Sequence, residues 1–180
     1  MEAVAGADAW LNAALGPLRH PWGIAAFTWL TGMGTGATAV AVMVVACGLL
    51  AAGRRGWLAA PLVLALAGAE ATTWAVKFLV GRARPAFLAG VAAASPSFPS
   101  AHATVALSLY GFLGLAVAAA LPQWRRRVLW AAAALVGLIG FSRLYLSLHY
   151  LSDVLAGYAV GALWLWGCWR WAARRGRSVA

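Results

Sequence analysis

The sequence is poor in charge, and above all in negative charge. Only 10% of its 180 residues are charged, with four Asp and Glu against fourteen Lys and Arg. A soluble domain carries about a quarter charged residues, so the composition argues against a water-soluble globular fold. A net charge of +10 would suit nucleic-acid binding, but such proteins spread basic residues over a polar surface. Here the basic residues stand between apolar runs, which favours a membrane protein without a nucleic-acid partner.

Cysteine is scarce as well. The two cysteines, Cys47 and Cys168, lie inside apolar runs, and neither belongs to a Cys-x-x-Cys pair. The sequence therefore predicts neither a disulfide framework nor a cysteine metal ribbon. We also expect no cleavable signal peptide, because the first twenty residues lack a basic head followed by an apolar core.

Long apolar runs dominate the chain, which is 64% hydrophobic with a mean hydropathy of +0.82. A membrane helix needs about 17 to 25 mainly apolar residues. The runs that meet this length are 35–52, 57–80, 101–121, 128–145 and 154–171. The shorter run 22–31 fits an interfacial or half-spanning helix, and 8–15 is weakly amphipathic. We predict an all-α membrane helix bundle, one domain over 1–180, with five full spans plus a short N-terminal helix; six spans is the alternative.

The positions of the arginines predict the orientation of the bundle. Nine of them fall in links and a tail that five spans place on one side, which the positive-inside rule makes cytoplasmic. These nine are Arg54, Arg55, Arg125, Arg126, Arg127, Arg170, Arg174, Arg175 and Arg177. The proline-rich stretch 81–100 and the link 142–153 then face outwards, and the C-terminus is cytoplasmic. The cations on the outer side are Lys77, Arg82, Arg84 and Arg143.

Three of these outer cations suit an anion. The planar fork of Arg84 and Arg143 matches phosphate oxygens, and Lys77 adds a point charge. Two histidines and an aspartate in the same segments could indicate zinc, but the surrounding positive charge favours phosphate, and we expect no metal and no cofactor. Ser100 follows Pro99 at the start of an apolar run, so we expect it to cap a helix whose first N–H groups can bind phosphate.

The acid–base groups of these segments predict phosphoryl transfer. His149 and Asp153 are four residues apart, which places them on one face if both are helical. The carboxylate can hold one ring nitrogen protonated and leave the other free to attack phosphorus. His102, from another segment, can protonate the leaving oxygen and then activate water. The nearby cations would stabilise the phosphoryl oxygens, so we predict a phosphohistidine intermediate.

The three segments 77–85, 99–102 and 142–153 resemble the signature of the type 2 phosphatidic acid phosphatase superfamily. That signature reads Lys-x6-Arg-Pro, then Pro-Ser-Gly-His, then Ser-Arg-x5-His-x3-Asp. The match departs at Ala101, where the family has glycine. Alanine keeps a backbone N–H for phosphate, but its methyl group narrows the pocket, and we expect activity to be retained.

The resemblance implies a role for each matching residue. His149 corresponds to the nucleophile, Asp153 to its partner and His102 to the general acid. The phosphate binders that it implies are Lys77, Arg84, Ser100, Ala101 and Arg143.

The same resemblance implies an enzyme of the bacterial plasma membrane. We expect a metal-independent phosphatase. Its substrate should be a lipid, because a site at the membrane surface lets the lipid tail stay in the outer leaflet. By resemblance, undecaprenyl diphosphate is the first candidate substrate, followed by phosphatidic acid and phosphatidylglycerol phosphate. Phosphotransfer to an alcohol on another lipid is one alternative, and a non-catalytic membrane transporter or scaffold is another. The oligomeric state is left open.

Residues outside the signature carry three further predictions. Glu70 is an ionisable group inside an apolar run, so we expect it to face the bundle interior and bond Thr73 or another polar neighbour, in a functional or a packing role. Arg82 has no place in the signature, and we interpret it as a loop or headgroup contact. The pattern Gly157-x-x-x-Gly161 predicts close helix packing, within the chain rather than in a dimer.

Overall fold

The structure is a computed structural model that describes residues 2–85 and 95–178, with side chains from 4 to 175 outside that gap. Residues 86–94 of the predicted outer stretch and the side chain of Arg177 therefore lie outside the described residues. Every regular element in the described ranges is helical, which confirms the predicted all-α membrane bundle. The helices are α1 Glu2–Leu15, α2 Pro21–Thr31, α3 Gly36–Ala52, α4 Ala59–Val80, α5 Ala101–Val105, α6 Gly111–Ala120, α7 Arg125–Tyr145 and α8 Leu151–Ser178.

Several helix boundaries follow from local sequence. Pro21 opens α2, where its fixed φ suits the first turn and its missing N–H costs nothing. Thr35 caps α3, because its side chain accepts a hydrogen bond from the backbone N–H of Thr38. Gly81 ends α4 in the left-handed conformation, with a φ of 62°, which glycine adopts without strain. The π-helical stretch Ala106–Tyr110 joins α5 to α6 and makes one continuous rod.

The number of membrane spans depends on how α2 and α3 are counted. Four helical stretches of the described chain are long and apolar enough to cross a bilayer: Gly56–Val80, Ala101–Ala120, Pro122–Tyr145 and Leu151–Arg175. The pair Pro21–Gly34 and Gly36–Ala52 bends by 53° and makes a fifth span if it crosses as one unit. The sequence predicts that α3 crosses by itself and that α2 is a separate short helix, and the number of spans stays a prediction.

The two glycines of the Gly157-x-x-x-Gly161 pattern lie against the rod that begins with α5. A Cβ atom on Gly157 would stand 2.5 Å from the carbonyl oxygen of Ser100, and one on Gly161 would stand 2.8 Å from that of Thr104. The missing side chains therefore let the backbones of α5 and α8 approach closely within the chain, as the sequence predicted. This contact brings the helix of His102 next to the helix of Asp153.

Candidate active site

The three signature segments meet at one end of the bundle, around a cavity of about 280 Å³. Six of the eight predicted site residues line it: Lys77, Arg84, Ala101, His102, Arg143 and His149. The other two, Ser100 and Asp153, are fully buried beside it, and the Ser100 N–H donates to the backbone carbonyl of Asp153 at 2.9 Å. Residues separated by up to 76 positions thus share one small space.

His149 lies in the link between α7 and α8, and Asp153 lies in the first turn of α8. Nδ1 of His149 is 3.4 Å from Oδ2 of Asp153, and Nε2 is 3.1 Å from Nη1 of Arg84. The hydroxyl of Ser97 donates to Oδ2 of Asp153 at 2.5 Å, and the N–H of Tyr150 donates to the same oxygen at 2.9 Å. The buried carboxylate is therefore firmly held, and it turns the other nitrogen of His149 towards the cavity.

The surroundings of His149 keep its ring neutral. Burial is the largest effect and lowers the pKa of His149 to about 4, with the charges of Arg143 and Arg84 acting in the same direction. The hydrogen bond and charge of Asp153 oppose this lowering without cancelling it. At neutral pH one ring nitrogen therefore stays unprotonated, as a nucleophile requires.

The three predicted phosphate-binding cations are held by neutral acceptors. Lys77 Nζ (2.6 Å) and Arg84 Nε (3.0 Å) donate to backbone carbonyls of the segment 95–97. Arg143 Nη1 donates to the hydroxyl of Thr31 at 2.7 Å, and its Nε is buried without a partner among the described residues. Within 4–85 and 95–175 none of the three forms an ion pair. Three cations without an ion-pair partner among the described residues thus surround the cavity, which favours an anionic ligand.

The start of α5 contributes His102, Ala101 and Ser100. Gly34 makes room for the ring of His102, because a Cβ atom at Gly34 would lie 2.9 Å from Cδ2 of that ring. Ser100 occupies the cap position of α5 with an extended backbone, as predicted, but its side chain makes no capping hydrogen bond. Its buried Oγ has no partner among the described residues and remains available to a ligand.

Three residues outside the predicted site contact Asp153 or its neighbours. Ser97 donates to Asp153, and the only signal for it was its place just before the Pro99 segment. Arg82 donates from Nη1 to Oδ1 of Asp153 at 2.6 Å and from Nη2 to Oδ2 of Asp8 at 2.8 Å. The interpretation of Arg82 as a loop or headgroup contact is therefore wrong, because α1 brings a carboxylate to it. The scarcity of acidic residues was the one signal that could have pointed to Asp8.

Glu70 lines the same cavity as His149. Its Oε2 accepts a hydrogen bond from Nε1 of Trp74 at 3.1 Å, and its Oε1 is buried without a partner among the described residues. Of the predicted partners, Thr73 is not the one that Glu70 bonds, because the Thr73 hydroxyl donates to Thr104; the polar neighbour is Trp74. A tryptophan four residues further on lies on the same helix face and reaches the carboxyl group more directly.

Comparison with known proteins agrees with this geometry. The family model of the PAP2 superfamily matches residues 58–177. The chain is 28% identical over 165 residues to phosphatidylglycerophosphatase B of Bacillus subtilis (strain 168), covering 90% of this chain and 81% of that relative. The crystal structure of a transmembrane PAP2-type phosphatidylglycerolphosphate phosphatase from Bacillus subtilis superposes with a TM-score of 0.91 at 25% identity, covering 97% of this chain and 88% of that one.

A second solved structure, Aquifex aeolicus LpxE, shares the fold with a TM-score of 0.70 at 20% identity, covering 91% of this chain and 94% of that one. The family model covers well over half of the chain, and all three signature segments fall inside the matched range. The resemblance predicted from those segments is confirmed, and this chain belongs to the PAP2 superfamily.

Proposed function

We propose that this protein is a membrane lipid phosphatase that releases phosphate through a phosphohistidine at His149. One observation carries the proposal: the neutral, buried ring of His149 meets Asp153 at Nδ1 and faces Arg84 with Nε2. His102 lines the same cavity together with the cations Lys77, Arg84 and Arg143. This set supplies a nucleophile, its orienting carboxylate, a proton donor and an anion site.

The first step forms a bond between His149 Nε2 and phosphorus and breaks the bond from phosphorus to the lipid oxygen. The negative charge of the bound substrate favours protonation of His102, which then gives its proton to that leaving oxygen, and Asp153 stabilises the proton that remains on Nδ1 of His149. The charge that develops on the phosphoryl oxygens is stabilised by Lys77, Arg84 and Arg143. In the second step His102 takes a proton from water, the oxygen of that water attacks phosphorus, and phosphate leaves His149.

The substrate class is a lipid carrying a phosphomonoester or diphosphate. Both Bacillus subtilis relatives are named as phosphatases of phosphatidylglycerol phosphate, which supports that lipid as the first candidate. Undecaprenyl diphosphate and phosphatidic acid remain candidates from the family resemblance. The outer leaflet supplies the substrate, and surrounding membrane lipids are its other partners in this proposal.

The test measures inorganic phosphate released by the purified protein from vesicles that contain one of these three lipids, with EDTA present. The blank is a His102→Ala, His149→Ala double variant purified in the same way. We expect release from at least one lipid, and no release above the blank from any of them would contradict the proposal. Transfer of phosphate to a second lipid would identify a phosphotransferase, and release abolished by EDTA would contradict the metal-free mechanism.

We also propose that the cavity faces the periplasm or the cell exterior and that the C-terminus is cytoplasmic. The cavity lies where α4 and α7 end and where α5 and α8 begin. The described arginines of the predicted cytoplasmic side lie at the opposite ends of these helices. Those arginines are Arg54, Arg55, Arg125, Arg126, Arg127, Arg170, Arg174 and Arg175.

Cysteine labelling tests this orientation in a Cys47→Ala, Cys168→Ala background. Leu18→Cys lies in the exposed turn after α1, near the cavity end, and Gln123→Cys lies in the exposed turn before α7, at the other end. We expect a membrane-impermeant maleimide to label Leu18→Cys in intact cells and Gln123→Cys only after the cytoplasmic face is opened. The reverse pattern would contradict the positive-inside assignment.

A further inference from the structure

Two residues outside the family signature, Asp8 and Arg82, form a chain of ion pairs that ends at Asp153, the partner of the proposed nucleophile. Asp8 in α1 pairs with Arg82 at 2.8 Å, and Arg82 pairs with Asp153 at 2.6 Å. The side chain of Asp8 is 3% exposed and that of Asp153 is fully buried, whereas Arg82 is 29% exposed. The N-terminal helix, 145 positions away in sequence, is therefore linked to Asp153 through one guanidinium group.

Asp8 also holds the beginning of α8, the helix that carries Asp153. Its Oδ1 accepts a hydrogen bond from the N–H of Ser152 at 2.9 Å, and its Oδ2 accepts one from the Ser152 hydroxyl at 2.5 Å. The first N–H groups of a helix lack partners inside the helix, and the helix dipole favours a negative charge there. Asp8 therefore caps α8 from another helix, one residue before Asp153.

The charge of Asp8 changes what Arg82 does to Asp153. Burial raises the pKa of Asp8, but hydrogen bonds from Arg82 and Ser152 outweigh burial and hold that pKa below its usual value. Asp8 is thus anionic at neutral pH, and the guanidinium group is shared between two carboxylates, with its face against the ring of Tyr150 at 4.2 Å. Because Asp8 balances Arg82, Arg82 can orient Asp153 without neutralising the charge that His149 needs.

We propose that Asp8 is a positioning residue for phosphoryl transfer, acting through Arg82 and Ser152 to set the place and the effective charge of Asp153. The N-terminal helix α1 is then part of the catalytic apparatus and not only a membrane-surface helix. This inference rests on the proposed function of His149 and Asp153, and the experiment separates the failure of one from the failure of the other.

The informative variant is Asp8→Asn, which keeps the shape of the side chain and an oxygen for the Ser152 N–H but removes the charge. Arg82 then directs its full charge at Asp153, which weakens the support for the imidazolium ring that forms during attack. We expect kcat to fall by about tenfold or more, because small displacements near reacting groups have effects of this size. KM should stay within about twofold, since the cations that bind phosphate are untouched, and Asp8→Glu should recover much of kcat.

Asn12→Ala is the matched control. Asn12 lies one turn further along α1, and its Oδ1 accepts hydrogen bonds from the hydroxyl of Ser147 at 2.8 Å and from Arg19 at 2.7 Å. This change loosens the same helix on the same side of the bundle without touching Arg82. We expect it to lower the unfolding temperature with kcat within about twofold of wild type. If Asp8→Asn and Asn12→Ala lose kcat equally, or if Asp8→Asn loses none, the inference is overturned.

A second readout does not depend on turnover. The chain has three histidines, so nitrogen NMR of histidine-labelled protein in detergent resolves His149 with few signals, and a His149→Ala sample assigns it. Asp8→Asn should shift the ring nitrogens of His149, because the charge that Asp153 presents to Nδ1 changes, whereas Asn12→Ala should leave them in place. If the wild type releases no phosphate, the proposed function fails, but the NMR comparison still tests whether Asp8 acts on His149. Unshifted ring nitrogens of His149 in Asp8→Asn overturn the inference.

Discussion

Replacing His149 by alanine is expected to abolish phosphate release from every lipid that the wild-type protein hydrolyses. The variant loses the proposed nucleophile, so we expect kcat to fall by at least about 10⁴-fold, as removal of a nucleophile does in other enzymes. Cationic side chains around the cavity remain in place, so lipid binding should persist. The measurement is phosphate release under saturating lipid, with ³²P labelling of the protein alongside.

His20→Ala is the control for this result. His20 is exposed at the start of α2, and its hydrogen bonds among the described residues are all made by its backbone, including one from its N–H to the hydroxyl of Tyr145 at 3.1 Å. That variant should keep wild-type kcat and the acid-labile ³²P label, whereas His149→Ala should lose both. A His149→Ala protein that still releases phosphate at a tenth of the wild-type rate would show that water attacks phosphorus directly, and the phosphohistidine proposal would be abandoned.

Replacing His102 by alanine should produce the second large loss, with a different signature. General acid–base catalysis contributes about 10² to 10⁴-fold, and both proposed steps use His102. The rate of the first step depends on protonation of the leaving oxygen. A lipid alcohol needs this proton more than a lipid phosphate does. We therefore expect the loss to be larger for phosphatidic acid than for undecaprenyl diphosphate, provided that wild type hydrolyses both.

The ³²P label distinguishes the two steps of the reaction in this variant. With the diphosphate, phosphohistidine should form and then persist in His102→Ala, because no base activates the water. Ala101→Gly is the neighbouring control, since it restores the family glycine beside His102 without removing an acid–base group, and it should keep kcat close to wild type. An equal loss of activity on both lipids, with no label retained, would mean that His102 serves only to bind phosphate.

The apolar runs explain why the helices could be predicted and why their number across the membrane could not. Runs such as 57–80 and 128–145 are long enough that only a membrane helix satisfies their backbone groups, and each lies within a helical stretch of the structure. Hydropathy reports length but not direction. The 53° bend between α2 and α3 could therefore not be predicted from the apolar run 22–31. The two helices can be counted as one bent span or as two separate segments.

The residues of the site also fall into those that the sequence could predict and those that it could not. Lys77, Arg84, His102 and His149 could be identified because each belongs to a short segment whose spacing carries its own chemical logic. Arg82 and Ser97 could not be assigned their contacts, because their partners lie more than fifty positions away. A hydrogen-bond partner at that distance depends on how helices pack, and no local pattern encodes it.

By itself the sequence determined an all-helical membrane protein of a phosphatase superfamily, together with six of the residues that line its cavity. Tertiary structure alone decided that Ser100, at the cap position of α5, makes no capping bond with its hydroxyl. It also decided that Asp8, which lies in a weakly amphipathic stretch of the sequence, contacts Arg82 and the start of α8. The physical reason is that residue type and spacing set which chemistry a segment can perform. The free energy of a buried charge depends on the partners that other helices bring to it.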